Sequence, residues 1–275
     1  MLVFIVPIKS AQVSTSWEVF SLLVARTMQS ICQQTSDNFK VVAVCHEIPE
    51  IGFEHTALEF IQVDFDPPTD EAIRSQVSDD PKNYRNAAKE ADKAKKIIRG
   101  IEYAKKYHPS HFMVVDADDC ISRELVSFVD DNSKDSPGWY FKKGLIYNEG
   151  SNLIFLNKNT FNVLCGTCII INATYVNELL SLKPRPLFHH EITELSNGEK
   201  LAPLPFPGAV YSIGNTENYC STPDAVRKMN SYGVFKKDFY DNIVRKLSKY
   251  RVKIVNRKLR ETYGLNKLDF SAVFS

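Results

Sequence analysis

The sequence lacks any apolar run near the roughly 20 residues that a membrane-spanning helix needs. Its opening segment, MLVFIVPIKS, is apolar only from Leu2 to Ile8, is interrupted by Pro7 and has no basic n-region, so it is a poor signal peptide. Six cysteines at irregular spacing in 275 residues do not resemble a secreted disulfide framework. These absences predict a cytoplasmic protein with reduced thiols.

A strong net charge is absent as well. The formal net charge is +1, which excludes a global field that would attract nucleic acid or another polyanion. There is no internal repeat and no low-complexity segment. With 44% hydrophobic and 24% charged residues, the chain has an ordinary globular composition and is long enough for one large α/β domain with a C-terminal appendage.

The N-terminal half alternates short β-rich runs with amphipathic segments. This pattern predicts strands and helices in the order β-α-β-β-α-β, and therefore a largely parallel sheet with helices on both faces. The predicted strands are Leu2–Ile8, Phe39–Val44, LEFIQV and HFMVV, and the predicted helices are Trp17–Gln34 and Ala91–Tyr107.

The pattern changes after residue 135. The segments GWYFKKGLIYNEG and SNLIFLNKNTF predict a hairpin-type pair, and CGTCIIINATYVNELLSL predicts a strand that leads into a short helix. The tail Pro223–Tyr263 is predicted to be helical, and residues 245–260 carry eight basic residues and no acidic one. That basic segment suits a solvated helix, anionic lipid head groups or a polyanionic acceptor.

Three carboxylates follow one apolar strand in VVDADDCIS, residues 114–122. Ligands of open α/β sheets bind at the carboxyl ends of strands, and crowded carboxylates repel one another unless a cation lies between them. Asp116 and Asp118 are therefore candidate ligands for Mg²⁺ or Mn²⁺, which prefer oxygen atoms from carboxylates, water and phosphate. The simpler alternative is a helix cap, and we expect Asp119 to cap the turn toward Ser122.

The order of several short motifs resembles family-2 glycosyltransferases of the GT-A fold, which use nucleotide-sugar donors. The resemblance covers residues 2–125: a first strand ending in VP, a helix ending in MQSICQQT, the strand FKVVAV, a helix with GIEYA, and FMVVDADD, which matches the family's Asp-x-Asp motif. It implies a GT-A (Rossmann-like, nucleotide-diphospho-sugar transferase) fold, with a nucleotide-sugar-binding half at 1–125, an acceptor half at 126–222 and a basic helical extension at 223–275.

By this resemblance, Asp116 contacts the donor ribose or the metal and Asp118 binds the metal that bridges the diphosphate. Pro7 and Ile8 would line the site of the nucleotide base. The family usually places Asp at the end of the second strand, whereas this sequence reads Cys45-His46-Glu47. The usual Arg-Asn pair before GI is also replaced, which leaves Lys95 and Lys96 as candidate diphosphate contacts or as part of a solvated helix face.

An inverting transferase needs a carboxylate that accepts the proton of the acceptor hydroxyl. In LFHHEITEL the resemblance favours Glu191 as this base, with Glu194 as the second choice. His190 is a candidate metal ligand, and His189 or His190 could instead contact phosphate or hold the base. The alternative is a polar surface turn.

Two later motifs complete the list of candidates. Cys165-x-x-Cys168 has no second Cys pair, so buried strand cysteines are favoured over a zinc ribbon, and Gly166-Thr167 would form the acceptor floor by the resemblance. In YSIGNTENYCS, Asn215 stands where the family has a histidine that precedes an Asn-x-Ser-like ending, here Asn218 and Ser221.

The sequence thus predicts a metal-dependent glycosyltransferase that moves a sugar from a nucleotide-diphosphate donor, a UDP-sugar by preference, to a carbohydrate or lipid-linked acceptor with inversion. It predicts no nucleic-acid partner and allows peripheral contact with the inner face of a membrane through residues 245–260. The alternative is a catalytically silent sugar- or protein-binding module on the same fold. An Asp-x-Asp phosphatase is disfavoured because Lys9-Ser10, not Asp, follows the first strand.

Overall fold

A computed structural model describes residues 1–69, 87–134, 136–177, 192–215, 217 and 250–268. Its helices of four or more residues are α1 (Trp17–Cys32), α2 (Ala87–Ala104), α3 (Leu125–Asn132), α4 (Phe161–Leu164) and α5 (Arg257–Tyr263). Its strands are β1 (Leu2–Pro7), β2 (Phe39–Cys45), β3 (Leu58–Gln62), β4 (His111–Val114), β5 (Cys120–Ile121), β6 (Gly138–Tyr140), β7 (Gly144–Asn148), β8 (Leu153–Asn157), β9 (Ile169–Asn172), β10 (Ala202–Pro203), β11 (Ala209–Ile213) and β12 (Tyr250–Ile254).

A seven-stranded sheet of order β10-β6-β9-β4-β1-β2-β3 forms the centre of the molecule. Strands β1 to β4 pair in parallel, and β9 is antiparallel to both of its neighbours, β4 and β6. Every residue of β1 and of β4 is buried, so both faces of the sheet centre are covered. The predicted mixed α/β fold with a mostly parallel central sheet is confirmed.

A smaller sheet of order β12-β8-β7-β11-β5 contains most of the later strands. The predicted hairpin is confirmed as the antiparallel pair β7–β8. The first of the two predicted segments also contains β6. This strand belongs to the central sheet, where it pairs with β9. Ile169–Asn172 is a strand as predicted, and a short 3₁₀ helix, Ala173–Tyr175, follows it.

The helical prediction for the C-terminal tail is wrong at residues 250–254, which form strand β12 beside β8. The physical reason is in the local pattern: Val252 and Ile254 alternate with Arg251 and Lys253, which is the two-residue period of a strand. Helix α5 then contributes Tyr263 to a buried apolar cluster that includes Leu145 and Val210 of the smaller sheet. The division of the chain into the predicted domains stays a prediction.

Helix α1 connects the two sheets. Its apolar side chains are buried against the core, and so are the polar side chains Arg26, Thr27 and Ser30. Arg26 binds both carboxylate oxygens of Glu149, which follows β7, at 2.8 and 2.9 Å. Ser30 accepts the backbone N–H of Ile121 in β5 and donates to the carbonyl of Tyr263. These contacts fix the smaller sheet relative to the helix. In the described ranges, no helix is long and apolar enough to cross a membrane.

We expect the variant Arg26→Met to lower the free energy of unfolding by about 3–5 kcal/mol, because it leaves Glu149 buried without its partner. The side chains are 1% and 6% exposed, so solvent cannot replace the lost partner. The double variant Arg26→Met/Glu149→Leu should recover most of the loss, which urea unfolding of all four combinations measures. Equal destabilisation of the single and double variants would contradict a coupled pair.

Stability should also fall in acid because of His111 in β4, which packs on Trp139 with the ring centroids 5.2 Å apart. Burial lowers the pKa of His111 from 6.5 to about 4. The unfolded chain therefore binds more protons between these pH values, and the contribution present above pH 6.5 is lost as the pH falls toward 4. Across the whole interval between these two pKa values, the free energy of unfolding changes by roughly 3 kcal/mol. Urea unfolding at about pH 7.5 and about pH 4.5 measures how much the free energy of unfolding changes with pH, and this change should be smaller for His111→Phe than for the wild type. An equal change in both proteins would refute His111 as its origin.

Candidate active site

The candidate site lies where the chain reverses its direction of strand addition. From β1 the chain adds β2 and β3 on one side, and then adds β4 on the other side of β1. Such a switch point opens a crevice at the carboxyl ends of the two central strands, where α/β proteins bind ligands. Ile8 and Lys9 follow β1 at this crevice, and Asp116 follows β4 one residue after Val115, which still pairs with Ile5.

Two of the three carboxylates are partly open to solvent. The side chain of Asp116 is 25% exposed and forms an ion pair with Lys93 of α2. Asp118 is half-buried, and its Oδ2 accepts a hydrogen bond from Nδ2 of Asn215 at 3.1 Å. Burial raises the pKa of Asp118, and the negative charge of Asp116 raises it further. Burial and the neighbouring charge therefore both oppose ionisation of Asp118.

The third carboxylate, Asp119, is fully buried and does not cap the turn toward Ser122, so this expectation is wrong. Its Oδ2 accepts the hydroxyl proton of Thr167 at 2.6 Å, and its Oδ1 accepts the backbone N–H of Ser212 at 3.1 Å. Burial raises the pKa of Asp119 well above its ordinary value, and the charges of Asp118 and Asp116 raise it further. Asp119 thus joins the acidic turn to two other segments, which is a structural function.

Lys93 is a site residue that no sequence motif identifies. It lies at the edge of the apolar face of α2 and in the first half of this helix. The helix begins near the carboxyl ends of the parallel strands. Because a crossover helix starts at that end of the sheet, its first basic residues are the ones nearest to the crevice. This topological signal could have identified Lys93, whereas helical periodicity alone places it with the solvated lysines.

Lys95 and Lys96, the predicted diphosphate contacts, have other partners. Lys96 is 1% exposed, and its Nζ donates to the carbonyl of Ile8 at 2.7 Å and to Asp92 at 2.8 Å. Lys95 is exposed, and its Nζ lies 5.2 Å from the ring centroid of Phe65. The structure brings neither to the carboxylates, and their assignment to the donor stays a prediction.

A short segment after β11 connects Asp118 to the turn between β1 and α1. Oδ1 of Asn215 accepts the backbone N–H of Glu217 at 3.0 Å. The buried carboxylate of Glu217 pairs with Lys9 and accepts the backbone N–H groups of Thr15, at 3.2 Å, and Ser16, at 2.8 Å. Asn215 therefore does reach the acidic cluster. The other residues predicted in its motif, Asn218 and Ser221, lie outside the described residues.

The cysteine pair is buried, as predicted. Burial raises the pKa of both the Cys165 and the Cys168 thiols well above the ordinary value. The two residues between them serve the acidic turn: Oγ1 of Thr167 also accepts the backbone N–H of Asp116 at 2.9 Å. A Cβ atom on Gly166 would lie 3.0 Å from Oδ2 of Asp116, so any side chain there would crowd this carboxylate.

The segment that is predicted to carry the catalytic base is described only in part. Glu191, His189 and His190 lie outside the described residues, so their proposed functions stay predictions. Glu194, the second candidate base, is exposed and lies 3.6 Å from Nζ of Lys200. Pro7 and Ile8, which are predicted to line the site of the nucleotide base, are buried at the end of β1.

Comparison with protein families and with curated proteins finds no match. Solved structures do match: S. aureus TarS 1–349 in complex with UDP, at 11% identity and a TM-score of 0.42, over 77% of this chain and 60% of that one. The same protein in complex with UDP-GlcNAc matches at 12% identity and a TM-score of 0.42, over 90% and 66%. The chain thus spans about 60% of the first of these.

Proposed function

We propose that this chain is a glycosyltransferase of the GT-A type that transfers a sugar from a nucleoside-diphosphate donor, a UDP-sugar by preference, to an acceptor hydroxyl with inversion. The observation that carries the proposal is the arrangement of Asp116, Asp118 and Lys93 at the switch point of the sheet. Opposite charges at this point suit a ligand that is itself anionic and is accompanied by a cation.

The carboxylates fit a divalent cation of the Mg²⁺ or Mn²⁺ type. Such ions are commonly bound by one or two carboxylates, with the remaining positions filled by water and by substrate phosphates. Asp116 and Asp118 supply that donor set, and a cation between them would offset the repulsion of their like charges. Among the described residues, no group of three or more His, Cys, Asp or Glu side chains could hold a metal alone. The third predicted ligand, His190, is outside them.

When bound, the cation would offset the negative charge that develops on the leaving nucleoside diphosphate. The chain's own residues would orient the donor. Lys93 would contribute a positive charge to the diphosphate, with Lys95 a second candidate. Pro7 and Ile8 would border the base, while Asn215 holds Asp118 in place. Lys96 would hold the end of β1 through the carbonyl of Ile8.

The acceptor side of the proposal depends on Glu191. This carboxylate would accept the proton of the acceptor hydroxyl as that oxygen attacks the anomeric carbon. The acceptor would be a carbohydrate or a lipid-linked glycan. The rival function is a binding module that holds a nucleotide sugar, or another partner, without turnover.

Replacement of Asp118 tests the proposal. Wild-type protein with Mn²⁺ should release UDP from one or more members of a panel of UDP-sugars, and Asp118→Asn should lower that rate by about 100-fold or more because charge stabilisation is lost. The matched control is Asp131→Asn, which removes an exposed carboxylate at the end of α3 and should leave the rate unchanged. Coupled detection of released UDP measures all three proteins.

Two outcomes would contradict the proposal, the first its site and the second its enzymatic activity. Full Mn²⁺-dependent turnover by Asp118→Asn would show that the carboxylates are not the site. A thermal shift of the wild-type protein by UDP and Mn²⁺, without turnover of any donor, would favour the binding module.

The lysines of α2 give a second test. Lys93→Met should weaken UDP binding roughly 10- to 100-fold, the usual cost of a lost charge-assisted hydrogen bond. Lys105→Met, at an exposed position just beyond the opposite end of α2, is the matched control and should bind normally. Titration calorimetry with UDP and Mn²⁺ provides the affinities. If Lys95→Met weakens binding and Lys93→Met does not, the assignment of Lys93 is wrong.

A further inference from the structure

Lys93 reaches the acidic turn from α2 and forms an ion pair with Oδ1 of Asp116. The two side chains are 35% and 25% exposed, so the pair is accessible from solvent. Partial burial alone would lower the pKa of Lys93, but the negative charges of Asp116, Asp118 and Asp119 raise it above the ordinary value. Lys93 is therefore a positively charged counter-ion for all three carboxylates of the turn.

Lys9 also lies near the turn, but it has another partner. It follows β1, and its charge acts on Asp118. Its Nζ pairs with the buried carboxylate of Glu217 and donates to the carbonyl of the same residue at 3.0 Å. A ligand of the acidic turn therefore has to exchange the ion pair of Lys93, whereas Lys9 is held by a segment outside the turn.

Asp116 can bind a divalent cation only in competition with Lys93. Its Oδ1 is paired with the ammonium group, and its Oδ2 lies on the side of Gly166, where an added Cβ atom would be 3.0 Å away. A cation on this carboxylate would therefore be close to a second positive charge, and like charges a few ångströms apart repel even in water. For that reason we expect a cation alone to bind weakly.

A nucleoside diphosphate without a cation meets the opposite difficulty. Its phosphates would approach Lys93 beside Asp116 and Asp118, which carry charge of the same sign as the phosphates. When the diphosphate and the cation bind together, each charge keeps an opposite neighbour. The carboxylates face the cation, while Lys93 leaves Asp116 and donates to a phosphate oxygen. The flexible stem of a lysine side chain allows this exchange.

We propose that Lys93 exchanges its partner on ligand binding and thereby selects the complex of a divalent cation with a nucleoside diphosphate over either component alone. Because it concerns the same site, this exchange rests on the proposed function. It adds a requirement that the function itself does not contain: the cation and the nucleotide bind with positive coupling, and each strengthens the affinity for the other by the same factor.

Replacement of Lys93 tests the exchange, because its effect should have opposite signs for the two ligands. Lys93→Met should bind Mn²⁺ in the absence of nucleotide roughly fivefold more tightly than the wild type, since a repulsive positive charge is removed. The same variant should bind UDP in the presence of Mn²⁺ more weakly, because the ammonium donor is lost. Electron paramagnetic resonance of free Mn²⁺ measures the first affinity, and titration calorimetry measures the second.

Titration of the wild type with UDP, with and without Mn²⁺, measures the coupling. The wild type should bind UDP roughly tenfold or more tightly with Mn²⁺ than without it, after correction for Mn²⁺ that UDP binds in solution. This factor should be smaller for Lys93→Met, in which neither ligand has to displace the lysine.

Three control variants separate the charge of Lys93 from other effects. Lys93→Arg keeps the positive charge and should bind Mn²⁺ alone like the wild type, whereas Lys93→Gln removes the charge and should match Lys93→Met. Lys105→Met removes an exposed lysine just beyond the opposite end of α2 and should bind both ligands like the wild type.

Two results would overturn the exchange. The first is binding of Mn²⁺ alone by Lys93→Met that is equal to or weaker than that of the wild type. The second is wild-type binding of UDP that is equally tight with and without Mn²⁺, which would mean that Lys93 replaces the cation. If release of UDP still depends on Asp118, only the exchange fails and the glycosyltransferase proposal stands. A wild-type protein that binds neither Mn²⁺ nor UDP would contradict both proposals together.

Discussion

The burial of one carboxylate, Asp119, is the constraint on which the geometry of the site depends. Its two oxygens bind Thr167, which precedes β9 of the central sheet, and Ser212 in β11 of the smaller one. A buried acidic group is costly unless it is hydrogen-bonded, so this residue fixes the turn in one conformation. Asp116 and Asp118 are held beside it with their side chains partly exposed. The three like charges thus separate into one structural group and two groups that can meet a ligand.

Helix α1 provides the second constraint. A helix on the surface of a sheet needs only an apolar stripe, but α1 also buries Arg26, Thr27 and Ser30. Thr27 donates to the carbonyl of Ala117 at 3.0 Å, directly within the acidic turn. Arg26 reaches Glu149 and Ser212 on the smaller sheet. The same helix therefore contacts the acidic turn and joins both sheets. The candidate site is thus held by secondary-structure elements rather than by a free loop.

Periodicity was sufficient to predict the elements of the N-terminal half, and the acidic cluster could be recognised because it directly follows a buried strand. Other features depend on distant partners that no local pattern reveals. The partners of Asp119, Thr167 and Ser212, are far away in the sequence, so the local pattern predicts a cap instead. Lys93 carries no local signal that separates it from the other lysines of α2, since only the topology shows which of them faces the crevice. The tail is predicted to be helical, and the alternation of Val252 and Ile254 with basic residues is the local signal of the strand that forms there.

The central claim is that the switch point between β1 and β4 binds a nucleoside diphosphate with its cation. A crystal structure of the protein with UDP and Mn²⁺, recorded with anomalous data at the manganese edge, tests it directly. We expect the anomalous peak within coordination distance of Asp118 or Asp116, with the diphosphate oxygens near Lys93. A manganese peak away from both carboxylates, or UDP bound at another part of the molecule, would contradict the account.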